Sequence, residues 1–249
     1  MILELGVPVL AAIAVAAVLT GILHGATGMA GGIIMASILA HLIGIKSAVP
    51  VITVALIFSH LSRAIIYCQE TDWSIAGRVL LFGGPMIVVG AIVFGMISAT
   101  TVAIVFASFL TASFPIKYWA KNNAISTGPR LLAGASMIWG MLAGNVIGPG
   151  FFLAPFLLGT GMNRLTYVGT LASITLVMNV IKTTVFGVTS LMTLELLLLG
   201  VAVGLLSVPG NWMGRSVLRR MRDSDHRMAI DLMTVMLIAN FVYIAFNAR

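Results

Sequence analysis

Apolar residues follow one another along this chain in long blocks. Between Gly6 and Ile45 the polar side chains are Thr20, His24, Thr27, Ser37 and His41 alone. A helix on a soluble surface would carry a polar stripe, and a half-buried strand would alternate; neither pattern appears. Blocks about 20 residues long and apolar on every face suit helices surrounded by lipid or protein. Lipid offers the backbone no hydrogen bonds, so each block must satisfy its own as a helix. The alternation that a membrane barrel needs is absent.

Cutting the blocks at polar and turn residues predicts ten segments: 6–24, 28–43, 47–67, 75–97, 99–118, 130–146, 149–162, 165–187, 193–212 and 228–247. Segments 28–43 and 149–162 are short for a hydrocarbon core of about 30 Å, so re-entrant helices stand beside full crossings as readings of both. The N-terminal "MILELGVPVL" has no basic stretch and carries Glu4, so it reads as the start of the first span. The fold class expected is an all-α polytopic membrane protein. Composition agrees: 60% of the 249 residues are hydrophobic, and 8% are charged, against about 25% in soluble domains. Mean hydropathy is +1.11.

The net charge of +7 sits in a few loops and gives no sign of nucleic-acid binding. Basic loops mark the cytoplasmic side. "RSVLRRMRDSDHR" (215–227) and "KYWAKNNAISTGPR" (117–130) are therefore expected inside, with both termini outside. An even number of crossings must separate these loops. Segments 165–187 and 193–212 supply two, so 130–146 and 149–162 must form a hairpin that returns to its own side. The same counting makes 6–24 and 28–43 a hairpin entered from the opposite face. Lys46, placed outside, runs against the charge rule. Cys68 is the single cysteine and excludes an internal disulfide.

The two hairpins point to an internal repeat. At an offset of 119 residues, Gly21, Gly25 and Gly31 fall on Gly140, Gly144 and Gly150; His60, Arg63 and Tyr67 fall on Asn179, Lys182 and Phe186. Each half has an odd number of segments, five, which predicts an inverted repeat. The halves are 1–118, a first membrane repeat, and 130–249, a second; 119–129 is a cytoplasmic linker. Each half opens with a helical hairpin broken by glycine.

In such folds the ligand lies near the midplane, where helices are interrupted and free N–H groups meet an anion. Gly28, Gly31, Gly32, Gly148 and Gly150 cluster at the two breaks and are candidate substrate contacts. Gly21/Gly25 and Gly140/Gly144 are GxxxG pairs, which suit close helix packing. Packing alone is the rival reading for the whole set.

"GATGMAGGIIMASIL" and "GNVIGPGFFLAPFLL" together resemble the TauE/SafE family of sulfite exporters and related sulfur-compound anion transporters. The resemblance covers nearly the whole chain. Its mark is a glycine-rich break followed by an apolar, proline-containing helix, once per half. The second copy keeps Pro155; Ala36 stands at that place in the first. The resemblance implies transport of a small oxyanion or organosulfonate across the cytoplasmic membrane.

Ionisable residues inside spans are functional candidates by default. His60, Arg63 and Tyr67 share one helix face by spacing, as do Asn179, Lys182 and Phe186. One cation per half suits an anionic substrate, with snorkelling to the interface as the alternative. Asn145, inside the second break, is a further substrate candidate. His60, Arg63, Asn179 and Lys182 are likewise candidate substrate contacts, and His24 and His60 are the candidates for proton coupling. His41 and His226 are placed at the interface, and Glu195 at the outer end of its span. No other acidic residue lies deep in a span, so a carboxylate proton relay is not expected.

There is no GxxxxGK[ST], HExxH or CxxC. Neither an enzyme, a metal nor any cofactor is expected, and ATP drive within the chain is unsupported. The leading reading is a secondary transporter, expected to export a small sulfur anion such as sulfite or an organosulfonate from the inner membrane. An anion channel and a non-transport membrane subunit are the rivals. Expected partners are the anion and the lipid bilayer, with a homodimer left open and no nucleic acid.

Overall fold

The computed structural model describes residues 6–27, 30–123, 126–218 and 223–247. These form ten α-helices, with no strand among the described residues. They are α1 (Val7–Thr27), α2 (Ala30–Ile43), α3 (Ile45–Ile66), α4 (Trp73–Met96), α5 (Ala99–Asn123), α6 (Pro129–Asn145), α7 (Gly150–Leu158), α8 (Arg164–Val188), α9 (Leu194–Leu218) and α10 (Asp223–Asn247). Six stretches, in α1, α3, α4, α5, α8 and α9, are long and apolar enough to cross a membrane. Large apolar side chains such as Leu81, Met96, Val188 and Phe246 face outward, as a lipid solvent permits.

Local chemistry sets the ends. The Asp72 carboxylate caps α4 by accepting from Ile75 N–H at 2.9 Å, and Asn163 caps α8 by accepting from Leu165 and Thr166. Pro129 opens α6 in the first turn, where its missing N–H costs nothing. Gly44, at φ 77°, turns the chain between α2 and α3.

Lys46 loses its anomaly here. Its ammonium donates to the carbonyls of Phe94, Gly95 and Ile97 at the end of α4. Those are the carbonyls a helix terminus leaves unbonded, and a cation there also meets the negative dipole end. The charge is consumed by the fold, so it says little about sidedness. The same contact puts the α2–α3 turn and the α4–α5 loop at one end of the bundle. Leu191 beside Gly95 adds the α8–α9 loop to that end. At the other end, Asp72 N–H donates to Thr170 at 3.0 Å and Thr127 N–H to the Gly159 carbonyl at 2.8 Å. That gathers the α3–α4, α5–α6 and α7–α8 connections.

Helix pairing is reciprocal. The two most extensive contacts are α1 with α9 and α4 with α6. Both are glycine seams between helices running the same way. Gly21 lies against Ser207 and Gly25 against Asn211; Gly83 lies against Gly140 and Gly90 against Gly144. A methyl group at any of these positions would meet the neighbouring backbone, so close approach requires glycine. Shifting every label by five elements exchanges α1·α9 with α6·α4, α3·α9 with α8·α4, and α10·α2 with α5·α7. The contacts α3·α8 and α5·α10 map onto themselves.

Candidate functional site

α1 ends at Thr27 and α2 begins at Ala30; the Gly28 candidate between them lies outside the described residues. The second break is four residues long, 146–149, between α6 and α7. Gly148 sits there at φ 80°, a conformation that a side chain disfavours. A Cβ on Gly148 would also lie 2.6 Å from Ile33 Cδ1. The second break thus rests on the first turn of α2, next to Gly31 and Gly32.

Those two glycines are packed. A methyl at Gly31 would run into the Thr20 carbonyl and His24, and one at Gly32 would lie 3.0 Å from Leu56 Cδ2. Gly31 holds α2 close to the end of α1. Gly150 starts α7.

In the first half, three of the expected residues meet. Arg63 Nη2 lies 2.9 Å from His24 Nε2 and 3.0 Å from His60 Nδ1. The two rings stand edge to face with centroids 5.8 Å apart. A guanidinium has donors and no acceptor. Both imidazoles must therefore accept, which fixes the proton of His24 on Nδ1 and that of His60 on Nε2. His24 and His60 are buried; Arg63 is half-buried and turned toward them. The spacing argument put His60 and Arg63 on one face. It had no means of bringing His24 to them across 39 residues.

In the second half, Lys182 is 1% exposed, which removes the snorkelling alternative for it. Its ammonium donates to the Val146 carbonyl in the second break at 3.1 Å and lies 5.7 Å from the Phe186 ring centroid. Among the described residues that is its one hydrogen bond. Asn179 is buried and donates to Thr175 one turn back. Asn145 donates to Met141 at 3.0 Å, while its buried Oδ1 has no partner. Arg63 on α3 thus reaches the end of α1, and Lys182 on α8 reaches the loop after α6. Tyr67 and Phe186 occupy matching places, Tyr67 as the C-cap of α3 and Phe186 inside α8.

A cavity of about 30 Å³ opens beside His24 between α1, α2, α3 and α9. Its polar lining includes Thr20, Ser59, Ser207 and Asn211. Asn211 donates to Ser59 Oγ at 3.0 Å across the α3–α9 contact. Among the described residues, the buried His24 Nδ1 and Asn211 Oδ1 have no partner. Sequence reasoning missed Ser59, Ser207 and Asn211. The available signal was Asn211 inside the apolar α9 run, next to Gly210. His41 bonds Asn240 at 2.9 Å, away from this site; the His226 side chain lies outside the described residues.

The described helices thus carry one buried cation, Lys182, bonded to the second break, and a half-buried one, Arg63, held by two imidazoles. Among known families, the model described as "Sulfite exporter TauE/SafE" matches residues 13–241. No curated protein and no solved structure matches the chain.

Proposed function

Because the chain belongs to the sulfite exporter TauE/SafE family, a family of multi-pass membrane transporters and not of enzymes, we propose that it exports a small sulfur oxyanion or organosulfonate from the inner membrane. The anion lies near the midplane between the two breaks, contacted by Gly28, Gly31, Gly32, Gly148 and Gly150 and by the side chains of Arg63, Lys182, Asn145 and Asn179. His60 and His24 adjoin it. The observation that carries this reading is the second break itself: Gly148 rests on Ile33 at the start of α2, and Lys182 reaches the same break through Val146. A dry ammonium without a counter-charge is unfavourable in this setting, and an oxyanion relieves it.

The two halves, 1–118 and 130–249 joined by a cytoplasmic linker, form an inverted repeat in this reading. Supporting it are the exchange of helix partners on a shift of five elements and the opposite starting ends of α1 and α6. The first hairpin then enters from outside and the second from the cytoplasm, and their tips meet.

Counterflow in proteoliposomes tests the function. Vesicles loaded with unlabelled sulfite should take up labelled sulfite transiently, with saturation, and methanesulfonate or taurine should compete. Large unsaturating anion currents with no counterflow would replace the transporter by a channel.

A further inference from the structure

Resting on the anion site proposed above, the inference concerns how that site is kept and opened. Arg63 is already engaged. Its guanidinium holds the lone pairs of His24 and His60 at 2.9 and 3.0 Å. An oxyanion offers the same donors a charge-assisted bond, shorter and roughly twice as strong as one to a neutral acceptor. We propose that Arg63 is a masked anion ligand: His24 and His60 occupy it before the anion arrives, the anion displaces them, and binding therefore strengthens as the histidines take up protons.

The displaced arrangement is prepared in the fold. His24 borders the cavity between α1, α2, α3 and α9. The cavity volume of about 30 Å³, against the roughly 10–15 Å³ that one water requires, leaves room for about two waters beside the ring. Asn211 lines that cavity, and its buried Oδ1 has no partner among the described residues. It can accept from an imidazole that has let go of Arg63. A protonated imidazole has no lone pair with which to hold the guanidinium, so proton uptake and release of Arg63 are one event. The proton comes from water and returns to water when the anion leaves.

The groups that face this cluster are few. α3 contributes His60, Arg63 and, at its C-cap, Tyr67. Tyr67 and Tyr167 of α8 are electrostatic neighbours of Arg63. α2 packs here without a charge, its one titratable residue, His41, being held by Asn240 elsewhere. α9 brings Ser207 and Asn211; its Glu195 lies in the first turn, near the other end of the bundle, and the Arg215 side chain lies outside the described residues. On α5, Lys117, Tyr118 and Lys121 have side chains outside the described set. Among the described residues, His24 and His60 are titrating groups with hydrogen bonds to Arg63.

The test is calorimetric binding of methanesulfonate to the purified full chain between about pH 8 and pH 5.5, the range in which histidine changes charge. A sulfonate stays ionised throughout, so any pH dependence belongs to the protein. Affinity should rise as pH falls, by up to about tenfold per pH unit for each proton taken up. Buffers of different ionisation heat should report that uptake directly. His60→Leu removes one masking ligand and should tighten binding at pH 8. The paired His24→Gln and His60→Gln variant keeps amide oxygens that accept from Arg63 but cannot titrate. It should fold, bind, and lose the pH dependence. Binding independent of pH, with Lys182→Gln still weakened, overturns the masking and leaves the anion site standing. His60→Leu that binds more weakly at every pH makes His60 a direct ligand and also overturns it. If methanesulfonate, sulfite and taurine all fail to bind, both this inference and the anion reading fall.

Discussion

Replacing Lys182 by methionine separates a binding cation from a structural one. Methionine keeps the length and flexibility of the lysine stem while removing the charge. Lys182 is 1% exposed, with one hydrogen bond, to Val146 O, and a ring contact at 5.7 Å. Moving an ammonium into such surroundings costs several kcal/mol even after relaxation. The charged hydrogen bond returns about 1.5–3 kcal/mol, and the Phe186 contact about 0.5–2 kcal/mol. The substitution also leaves the Val146 carbonyl short of a donor, at about 1–3 kcal/mol. These terms nearly cancel, so Lys182→Met should leave thermal stability close to that of the parent. Affinity should behave differently. Losing a charge-assisted bond to the anion weakens binding by about 1.5–3 kcal/mol, or roughly 10- to 150-fold.

Both quantities are measurable on one detergent preparation, as the unfolding midpoint and the sulfite titration. Retained stability with weakened binding is the expected pair. A lowered midpoint with unchanged affinity would mean that Lys182 pegs the second break in place and holds no substrate, which would remove the main support for an anion between the breaks.

Two further outcomes follow from packing and topology. Gly25→Ala and Gly144→Ala place a methyl against the backbones of Asn211 and Gly90; each should cost about 1–3 kcal/mol through overpacking and lower the unfolding midpoint, and unchanged midpoints would show that the seams are looser than described. The native Cys68 is exposed in the α3–α4 connection, which the charge rule places inside, so an impermeant maleimide should label it in inverted vesicles and not in intact cells; the reverse pattern would invert the proposed topology.

Ten segments were legible from hydropathy because lipid forces each apolar block to be a self-bonded helix. Three of the boundaries that moved share one cause. α5 continues to Asn123, α9 to Leu218, and α10 begins at Asp223, each beyond its apolar block. Hydropathy registers the edge of the hydrocarbon, whereas backbone hydrogen bonding continues through polar residues at the interface. The glycine pairs were also legible as packing devices, but not their partners. Gly21 and Gly25 meet α9, about 190 residues along the chain, and no spacing rule reaches that far. The same limit hid His24 from Arg63 and left Lys182 undecided between snorkelling and burial. A periodicity places side chains on a face and is silent about which helix that face meets.

Helix contacts exchange almost symmetrically on a shift of five elements, whereas the chemistry at the paired positions does not. At matching positions one half carries Arg63 and His60, the other Lys182 and Asn179. Arginine keeps its charge at any accessible pH and presents a fork of donors that two imidazoles can fill. Lysine is a compact charge with no such fork, and the asparagine beside it turns to its own backbone at Thr175. If both halves held the anion by the same means, the two cations would respond alike to pH. On the masking proposal the two do different work: Lys182 directs its donors at the second break, and Arg63 supplies a charge that the histidines release. The two assignments separate in a double-variant cycle. At each pH the effect of Lys182→Gln on sulfonate affinity should be the same in His60→Gln as in the parent. The effect of Arg63→Gln should shrink toward acid in the histidine variant relative to the parent, where acid unmasks the arginine. Equal pH responses for both cations would return the site to a symmetric clamp.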